Sequence, residues 1–257
     1  MQHPSAIISP EATIGDNVSI GAFSIIEAGV TIGDNTTIDP HVWVTGKTII
    51  GKENLIGFGS HIGGLPQDYS FDPSTDSGTI IGDNNSIREN VTIHRSTKAG
   101  ENTVIGNHNF LMVGTHLAHD VTLGDHNVIA NNCMLAGHIT VGNRTFLGGG
   151  AGFHQFINIG DYAISQGNAA ISKDIPPYCM CHGQNKLAGL NIIGLRRSGF
   201  DAKQRENIKK AYDILFRRGL SINEAIKQCK ELGEWTEAAL KLIDACESPS
   251  RKGVLVR

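Results

Sequence analysis

Residues 14–38 read IGDNVSIGAFSIIEAGVTIGDNTTI, and an aliphatic residue returns at every sixth position of this segment. With two interruptions, the same spacing runs from Ile8 to Ile171 and covers 25 positions, of which only Ser165 is polar. A period of six fits neither the 3.6-residue period of a helix nor a long alternating strand. It is typical of short strands that are joined by turns and wound into a parallel β-helix. The sequence therefore predicts a mainly β fold of about eight three-sided coils, each hydrogen-bonded to the next.

The composition agrees with a turn-rich β architecture, since Gly is abundant (31 residues) while aromatic residues (6%) and charged residues (18%) are scarce. The five cysteines form no CxxC pair, which argues against a disulfide framework or a zinc ribbon. The first residues lack a basic flank followed by an apolar stretch, and no run reaches the ~18 apolar residues of a membrane span. We therefore expect a cytoplasmic protein with no membrane span and no nucleic-acid partner.

Two domains are predicted along the chain. The hexapeptide-repeat β-helix occupies residues 1–185, with loops at the two interruptions, near 63–79 and 95–103. A C-terminal helical domain occupies residues 186–257, with a net charge of +6 against −9 for the first domain. A basic segment of this kind favours an acidic partner. The alternative is that its helices only carry solvated Lys and Arg side chains.

The C-terminal domain is predicted to contain three helices. Asp201 can cap a helix that runs through Arg217 and carries an apolar stripe at helical spacing. Ser221-Ile222-Asn223-Glu224 is a capping-box pattern that opens the next helix, which ends near Gly233. A third helix runs from about Trp235 to Glu247. We expect these helices to cover the last coil, whose unpaired strand edges would otherwise invite aggregation.

Polar residues that a structural repeat does not need gather at one place in the coils. Because three six-residue units make a coil, residues 18 apart stack on the same face, and His119 and Gly137 have this spacing. Asp120 and His138 share it, one place further on. If the second interruption replaces no strand, His94 belongs to the same face, and both loops leave from its edge. A single surface histidine is more often solvated than catalytic, but a column of titratable residues favours a functional site.

Six segments along the chain carry further motifs: Thr92-Ile93-His94-Arg95, His116-Leu117-Ala118-His119-Asp120, Leu135-Ala136-Gly137-His138, His154-Gln155-Phe156, Pro176-Pro177-Tyr178 and Gly194-Leu195-Arg196-Arg197-Ser198-Gly199-Phe200. With the repeats, and in this order, they resemble the UDP-N-acetylglucosamine O-acyltransferases that open lipid A biosynthesis in Gram-negative bacteria. The match covers nearly the whole chain. It implies a left-handed parallel β-helix with a C-terminal α-helical domain, assembled as a cytoplasmic homotrimer with active sites between neighbouring prisms.

The resemblance also implies a reaction and its partners. A 3-hydroxyacyl group would pass from acyl carrier protein to the 3-hydroxyl of UDP-N-acetylglucosamine. The carrier protein is small and acidic, which suits the charge of +6 in the C-terminal segment. No metal and no cofactor of the enzyme itself are implied, because 4′-phosphopantetheine arrives on the carrier protein.

Three residues receive catalytic roles from the resemblance. His119 would be the general base that takes the proton of the sugar hydroxyl, for which a neutral imidazole is suited. The backbone N–H of Gly137 would be the oxyanion donor, and Asp120 would orient the base. Neighbours on a straight strand point to opposite faces, so Asp120 can reach His119 only where the chain bends. No nucleophilic Ser or Cys lies in the column, and Cys133 is expected to pack inside, which favours direct transfer over an acyl-enzyme.

The remaining matches are implied binding positions. Those expected at the sugar and acyl cleft are Asp68, on the first loop, and His94, His116, His138, His154 and Gln155. Asn191 and Arg197 would hold the nucleotide or its phosphates, since Arg offers a bidentate grip. Gly167 falls where the family gauges acyl length, and its missing side chain would permit a longer chain.

Three positions depart from the family pattern: an expected Lys is Ser70, an expected acidic residue is Ile193, and a second Arg is replaced by Ser198. These changes weaken the predicted grip on the acceptor. The acceptor could then be the 3-amino analogue of the sugar nucleotide, which would make the reaction an N-acylation.

Two other classes of protein also use this fold. A γ-type carbonic anhydrase binds zinc through three histidines between subunits, and His116 and His119 could serve as ligands. A non-catalytic structural β-helix is the other alternative. Asp120 and Gly137 have ready roles in acyl transfer, and the polar column has no use in a scaffold, so both observations favour the acyltransferase.

Overall fold

The computed structural model describes residues 1–256, and its largest part is a three-faced parallel β-helix. The first face comprises β1 (Ile7–Ile8), β4 (Ile25–Ile26), β7 (Trp43–Val44), β10 (His61–Gly64), β13 (Thr92–His94), β16 (His116–Leu117), β19 (Met134–Leu135), β22 (Gly152–Phe153) and β25 (Ala170–Ile171). The second comprises β2 (Thr13–Ile14), β5 (Thr31–Ile32), β8 (Lys47–Ile50), β11 (Gly78–Ile81), β14 (Asn102–Ile105), β17 (Thr122–Leu123), β20 (Thr140–Val141) and β23 (Asn158–Ile159). The third comprises β3 (Ser19–Ile20), β6 (Thr37–Ile38), β9 (Leu55–Ile56), β12 (Ser86–Ile87), β15 (Phe110–Leu111), β18 (Val128–Ile129), β21 (Phe146–Leu147), β24 (Ile164–Ser165), β26 (Cys179–His182) and β27 (Lys186–Leu190).

The six-residue repeat predicts these strands one by one. Each of the 25 repeat positions lies in a strand of its own, from β1 to β25, which confirms the parallel β-helix. All of them are buried inside the prism except Ile8 and Ile14 in the first coil, and Ser165 is buried with the rest. Cys133 also lies in this core, as expected. Burial of each aliphatic side chain contributes roughly 1.5–3 kcal/mol, so the repeat itself supplies the core.

The strand register brings both interruptions to one corner of the prism. Ile62 pairs with Ile93, and Ile93 pairs with Leu117, so the second interruption replaces no strand of the first face. Residues 65–77 connect β10 to β11, and residues 95–101 connect β13 to β14. Both loops therefore leave between the first and second faces. We call this edge the histidine corner; it contains His94, His119, Asp120, Gly137 and His138.

The corner between the second and third faces pairs its polar groups from coil to coil. Asn85 donates its backbone N–H to Oδ1 of Asn54 at 2.9 Å, and Asn109 donates to Asn85 in the same way. Asn127 and Thr145 continue the series at 2.8 Å. We call these five buried residues the ladder corner. Their hydrogen bonds fix the stacking of one coil on the next.

Four helices follow the β-helix: α1 (Ile192–Arg197), α2 (Ala202–Arg217), α3 (Ile222–Leu232) and α4 (Glu237–Glu247). The last three confirm the helices predicted from the sequence. Asp201 and Ser221 each form a capping box, and Gly233 ends α3 with a φ of 68°. Lys241 of α4 pairs with Asp161 and joins the helices to the prism. No helix within residues 1–256 is long and apolar enough to cross a membrane.

Candidate active site

A bend in the chain returns Asp120 to His119. β16 ends at Leu117, and Asp120 has a φ of 60°, in the left-handed region that Asp tolerates. Oδ2 of Asp120 consequently lies 2.8 Å from Nδ1 of His119, with side chains that are 8% and 12% exposed. The contact that a straight strand forbids is therefore made at a corner of the prism.

Four hydrogen bonds hold the Asp120 carboxylate. They come from Oγ of Ser96 at 2.5 Å, Oγ1 of Thr97 at 2.6 Å, the N–H of Thr97 at 3.2 Å and Nδ1 of His119. Burial opposes the charge, but these bonds outweigh it and hold the pKa of the carboxyl below its usual range. An ionised carboxylate only accepts hydrogen bonds, so Nδ1 of His119 carries the proton. Nε2 of His119 is then the basic atom.

Arg95, which precedes the donors Ser96 and Thr97 in the sequence, joins the two loops. Arg95 donates from Nη1 to the Thr75 carbonyl at 3.0 Å and from Nη2 to the Pro73 carbonyl at 2.7 Å. Its guanidinium also lies 5.2 Å from the centre of the Phe71 ring. Residues 95–97 thus hold the first loop and the Asp120 carboxylate together. The sequence signals them only through the motif that ends at Arg95 and through their place in a loop that leaves beside the histidine column.

Gly137 lies one coil beyond His119 and offers an unpaired N–H. This N–H donates to no group within residues 1–256, although the residue is buried. A Cβ at this position would lie 2.5 Å from Cε1 and 2.8 Å from Nε2 of His119, so any side chain here would displace the imidazole. Unpaired buried N–H groups are rare in proteins. One that lies beside an imidazole can stabilise an oxyanion formed there.

Three further histidines surround the pair and are held neutral. Burial lowers the pKa of His94 to about 4, and the electrostatic effect of the neighbouring His116 is the second largest cause. Burial also lowers the pKa of His116, whose Nδ1 lies 2.7 Å from Oγ1 of Thr92. Nε2 of His138 lies 3.6 Å from Oδ2 of Asp120, and burial lowers its pKa against the opposing effect of the carboxylate. Near neutral pH these rings therefore supply hydrogen-bonding groups and no charge.

The first loop brings Gln67 and Asp68 over the site. Gln67 lines the cleft that contains His119. Asp68 accepts hydrogen bonds from the N–H and the hydroxyl of Ser70, both at 2.8 Å, and these bonds lower the pKa of its carboxyl. Ser70, at the position where the family pattern has a lysine, thus orients Asp68 and contributes no cation.

An open cleft of about 610 Å³ extends along the first face from the histidine corner, within the range of ~300–1,000 Å³ typical of ligand sites. Its polar end is lined by His116, His119, Gly137, His154 and Gln155. Gly152 and Ala170 form a floor with little or no side chain. A cleft with a polar end and an apolar floor fits a substrate that has a polar head and an alkyl chain.

Three predicted positions lie away from both the histidine corner and this cleft. Gly167 lies at the corner between the third and first faces, where an added Cβ would be 3.1 Å from a carbonyl oxygen. Asn191 caps α1: its Oδ1 accepts from the Gly194 N–H and its Nδ2 donates to the Tyr162 carbonyl, both at 3.0 Å. Arg197 is exposed in the last turn of α1. The structure therefore brings His119, Asp120 and Gly137, the three predicted catalytic residues, together but leaves these three binding positions apart within one chain.

His119 and Asp120, together with His138, form the one group within residues 1–256 that could be considered for a metal ion. Ligand atoms of His119, Asp120 and His138 lie within 4.8 Å of one another. Both oxygens of Asp120 are, however, occupied by hydrogen bonds from Ser96, Thr97 and His119. A metal would have to displace these donors and the proton on Nδ1. The contacts therefore fit the orientation of a base better than the ligation of a metal.

Two family models match the chain. The model described as bacterial transferase hexapeptide (six repeats) matches residues 11–46 and 102–137. This match agrees with the fold and defines the class of protein as a hexapeptide-repeat transferase. The model described as domain 2 of UDP-N-acetylglucosamine O-acyltransferase matches residues 174–255, which contain the four helices.

Curated relatives narrow this class to one family. The acyl-(acyl-carrier-protein)–UDP-N-acetylglucosamine O-acyltransferase of Xanthomonas euvesicatoria is 46% identical over 254 residues, which cover 96% of each chain. The enzyme of the same name from Syntrophobacter fumaroxidans is 40% identical, with 98% of each chain covered. The chain therefore belongs to the family of UDP-N-acetylglucosamine O-acyltransferases.

Solved structures agree with this assignment. The UDP-N-acetylglucosamine acyltransferase of Francisella novicida is similar with a TM-score of 0.95 and 35% identity, covering 100% of this chain and 94% of that one. That of Bacteroides fragilis has a TM-score of 0.94 and 39% identity, with 99% of each chain covered. These likenesses confirm the left-handed β-helix with a C-terminal helical part. They do not favour N-acylation or a zinc enzyme.

Proposed function

We propose that the chain transfers a 3-hydroxyacyl group from acyl carrier protein to the 3-hydroxyl of UDP-N-acetylglucosamine, the first step of lipid A biosynthesis. The observation that carries this proposal is the pairing of His119 with Asp120 beside the unpaired N–H of Gly137. Acyl transfer to a hydroxyl needs a base, a group that orients it and an oxyanion donor. The names of the relatives support the same reaction.

The geometry gives each group one step. Nε2 of His119 removes the proton of the sugar hydroxyl while the oxygen attacks the thioester carbonyl carbon. The carbonyl oxygen becomes an anion and accepts a hydrogen bond from the Gly137 N–H. When the C–S bond breaks, the carbonyl re-forms and the thiolate takes the proton from the imidazolium. Asp120 stays ionised and stabilises that imidazolium. A base of this kind contributes about 10²–10⁴-fold to the rate and an oxyanion donor about 10²–10³-fold.

Direct transfer fits the side chains around the base better than a covalent intermediate. All five cysteines are buried, and burial raises the pKa of the Cys133 thiol to about 12, so its nucleophilic thiolate form is disfavoured. The hydroxyls of Ser96 and Thr97 donate to Asp120 and do not face the cleft as free nucleophiles. We therefore infer that His119 acts on the acceptor itself.

The cleft suggests how the substrates bind. The histidine corner, the first loop above it and the polar end of the cleft would take the sugar through Asp68, His94, His116, His138, His154 and Gln155. The floor of Gly152 and Ala170 would take the acyl chain, and the missing side chain of Gly167 would permit a longer chain. Asn191 and Arg197, which lie outside this cleft, would hold the nucleotide in a site shared between neighbouring copies of a cytoplasmic homotrimer. Within the basic segment of residues 186–257, the helices α1 and α2 would receive the acidic carrier protein, whose 4′-phosphopantetheine presents the thioester.

One assay tests the reaction. The wild type and His119→Ala are given 3-hydroxyacyl carrier protein with either UDP-N-acetylglucosamine or its 3-amino analogue. We expect the wild type to acylate the hydroxyl and His119→Ala to lose about 10²–10⁴-fold in kcat, the contribution of a general base. The matched control is His126→Ala, because His126 is exposed and stacks on His108 away from the site.

Three results would contradict the proposal. An unimpaired His119→Ala would remove the base from its role, and transfer to the 3-amino analogue alone would make the reaction an N-acylation. A wild type that transfers to neither acceptor would contradict the reaction as a whole. Sedimentation of both proteins should show the same trimer, so that a loss of activity is not a loss of assembly.

A further inference from the structure

The C-terminal segment returns to the β-helix beside the histidine corner. Asp174, which is 4% exposed, accepts hydrogen bonds from the N–H and the hydroxyl of Ser250, both at 2.6 Å. It also exchanges two backbone hydrogen bonds with the segment, one to Gly253 and one from Leu255. Val254 and Leu255 are buried. Residues 250–255 are therefore fixed to the last coils of the prism.

Arg251 lies between these contacts and begins a stack of side chains that ends at the base. Its guanidinium lies 3.7 Å from the centre of the Phe156 ring. The Phe156 ring is nearly parallel to that of His138, with 5° between the planes and 4.5 Å between the centres. His138 in turn meets His119 edge-on at 5.1 Å. Two ring contacts thus separate a cation of the C-terminal segment from the proposed base.

We propose that Arg251 is a positioning residue of the active site, which together with Phe156 clamps the His138 ring so that Asp120 stays paired with His119. This inference rests on the proposed function. The same oxygen of Asp120 lies 2.8 Å from His119 and 3.6 Å from His138, so the two imidazoles compete for one acceptor. Stacking of an aromatic ring and a cation on one side of His138 fixes the plane of its imidazole. If the His138 ring rotated, it could pair with Asp120 in place of His119.

Charge acts in the same direction as the stack. The charged and titratable groups that face His138 are Asp120, Asp68, His119, Lys98 and Arg251. Burial lowers the pKa of His138, Asp120 raises it, and His119, Lys98 and Arg251 lower it further, in that order. A protonated His138 would form an ion pair with Asp120 and draw the carboxylate from His119. The charge of Arg251 thus helps to keep His138 neutral, so that Asp120 stays paired with His119.

Three variants of the full-length protein test the proposal: Arg251→Gln, Arg251→Lys and, as a matched control from the same segment, Lys252→Gln. Arg251→Gln should lower kcat at neutral pH by roughly tenfold, less than the ~10²-fold that a 1 Å misplacement can cost. It should also move the acidic limb of the pH profile of kcat/KM to higher pH, because His138 becomes easier to protonate. Arg251→Lys should keep the limb in place and recover part of kcat. Lys252→Gln should behave as the wild type does.

A second readout does not depend on turnover. Titration of the histidine rings by NMR should show a higher pKa for His138 in Arg251→Gln and no change in Lys252→Gln. A folded Arg251→Gln whose acidic limb and His138 titration both match the wild type would overturn the proposal. Equal effects of Arg251→Gln and Lys252→Gln would also overturn it, because they would show a general effect of surface charge.

The remaining outcomes are also decisive. If Arg251→Gln does not fold, Arg251→Lys tests the stack alone, and an unchanged kcat in that variant would contradict the clamp. If the wild type transfers no acyl group, the proposed function fails, whereas the titration of His138 still decides whether Arg251 controls that ring.

Discussion

The ladder corner and the histidine corner are built from the same six-residue repeat, yet they treat their polar groups in opposite ways. At the ladder corner, side-chain amides bind the backbone of the next coil, and among its side chains only Nδ2 of Asn127 lacks a partner within residues 1–256. At the histidine corner, the Gly137 N–H and Nδ1 of His94 are unpaired within the same residues. Asp120 there takes its hydrogen bonds from a loop and from His119.

The difference separates groups that hold the coils together from groups that are kept available for a substrate. An unpaired buried polar group costs about 1–3 kcal/mol, so the repeat would be more stable if Gly137 and His94 were paired as the ladder residues are. The unpaired Gly137 N–H and Nδ1 of His94 lie beside the His119–Asp120 pair, and this combination favours a site at the histidine corner. Substitutions at the ladder corner should change stability, and substitutions at the histidine corner should change catalysis.

The largest effect is expected from Gly137→Ala. The added Cβ would lie 2.5 Å from the His119 ring, so the imidazole must move away from Asp120 and from the oxyanion donor. We expect kcat to fall about 10²-fold or more, the cost of misplacing a catalytic group by ~1 Å, with a small change in stability. The control is Gly189→Ala, because a Cβ there meets only Cε of Met180 at 4.0 Å. Equal activity of the two variants would contradict the assignment of Gly137.

The next effect is a dependence of stability on pH. The pKa of His94 is lowered from 6.5 to about 4 by burial, so below pH 6.5 the unfolded chain binds a proton that the folded chain does not. Stability should therefore be complete above pH 6.5 and fall as the pH drops toward 4, by up to about 3 kcal/mol at ~1.36 kcal/mol per pKa unit. Urea unfolding at both ends of this window, with His94→Leu for comparison, measures it. If the free energy of unfolding fell equally with pH in the wild type and in His94→Leu, His94 would not be the source of the pH dependence.

A smaller effect is expected at the ladder corner. Asn109→Leu removes the acceptor of the Asn127 N–H and a donor to Asn85, which should lower the free energy of unfolding by about 2 kcal/mol. The folded variant should keep the kcat of the wild type. Asn223→Leu, at an exposed site on α3, should stay within about 0.5 kcal/mol of the wild type. A stable but inactive Asn109→Leu would contradict the proposal that ladder-corner residues affect stability and not catalysis.

The smallest effect is expected from Thr97→Val. This variant removes one donor to Asp120 and keeps the shape of the side chain and the donors from Ser96 and His119. We expect kcat to fall roughly tenfold, about 1.4 kcal/mol, the value of a hydrogen bond to a charged group. Thr140→Val, exposed on the second face, should have no effect on kcat. A full loss of activity in Thr97→Val would mean that the loop does more than hold the carboxylate.

The sequence predicts the strands and the stacking of the coils better than it predicts the contacts at the histidine corner. One residue in six must be buried in each coil, so positions such as Ile87 and Ile129 define the strands. Because residues 18 apart stack on the same face, the repeat also aligns His119 with Gly137. The contact of Asp120 with His119 is predictable only as a consequence of a bend. Thr97 and Arg251 lie outside the repeat, and contacts between residues far apart in the sequence determine their places. The bond from Thr97 to Asp120 spans 23 residues, and the bond from Ser250 that fixes the segment of Arg251 to Asp174 spans 76.

The most direct test of the account is a double-mutant cycle on the catalytic pair, with kcat measured for His119→Ala, Asp120→Asn and the variant that carries both. If Asp120 acts by orienting His119 and stabilising its protonated form, its loss should matter only while the base is present. We expect each single variant to lose at least about 10²-fold and the double variant to be no slower than His119→Ala. Losses that multiply in the double variant would show that the two residues act independently, which would contradict the central claim.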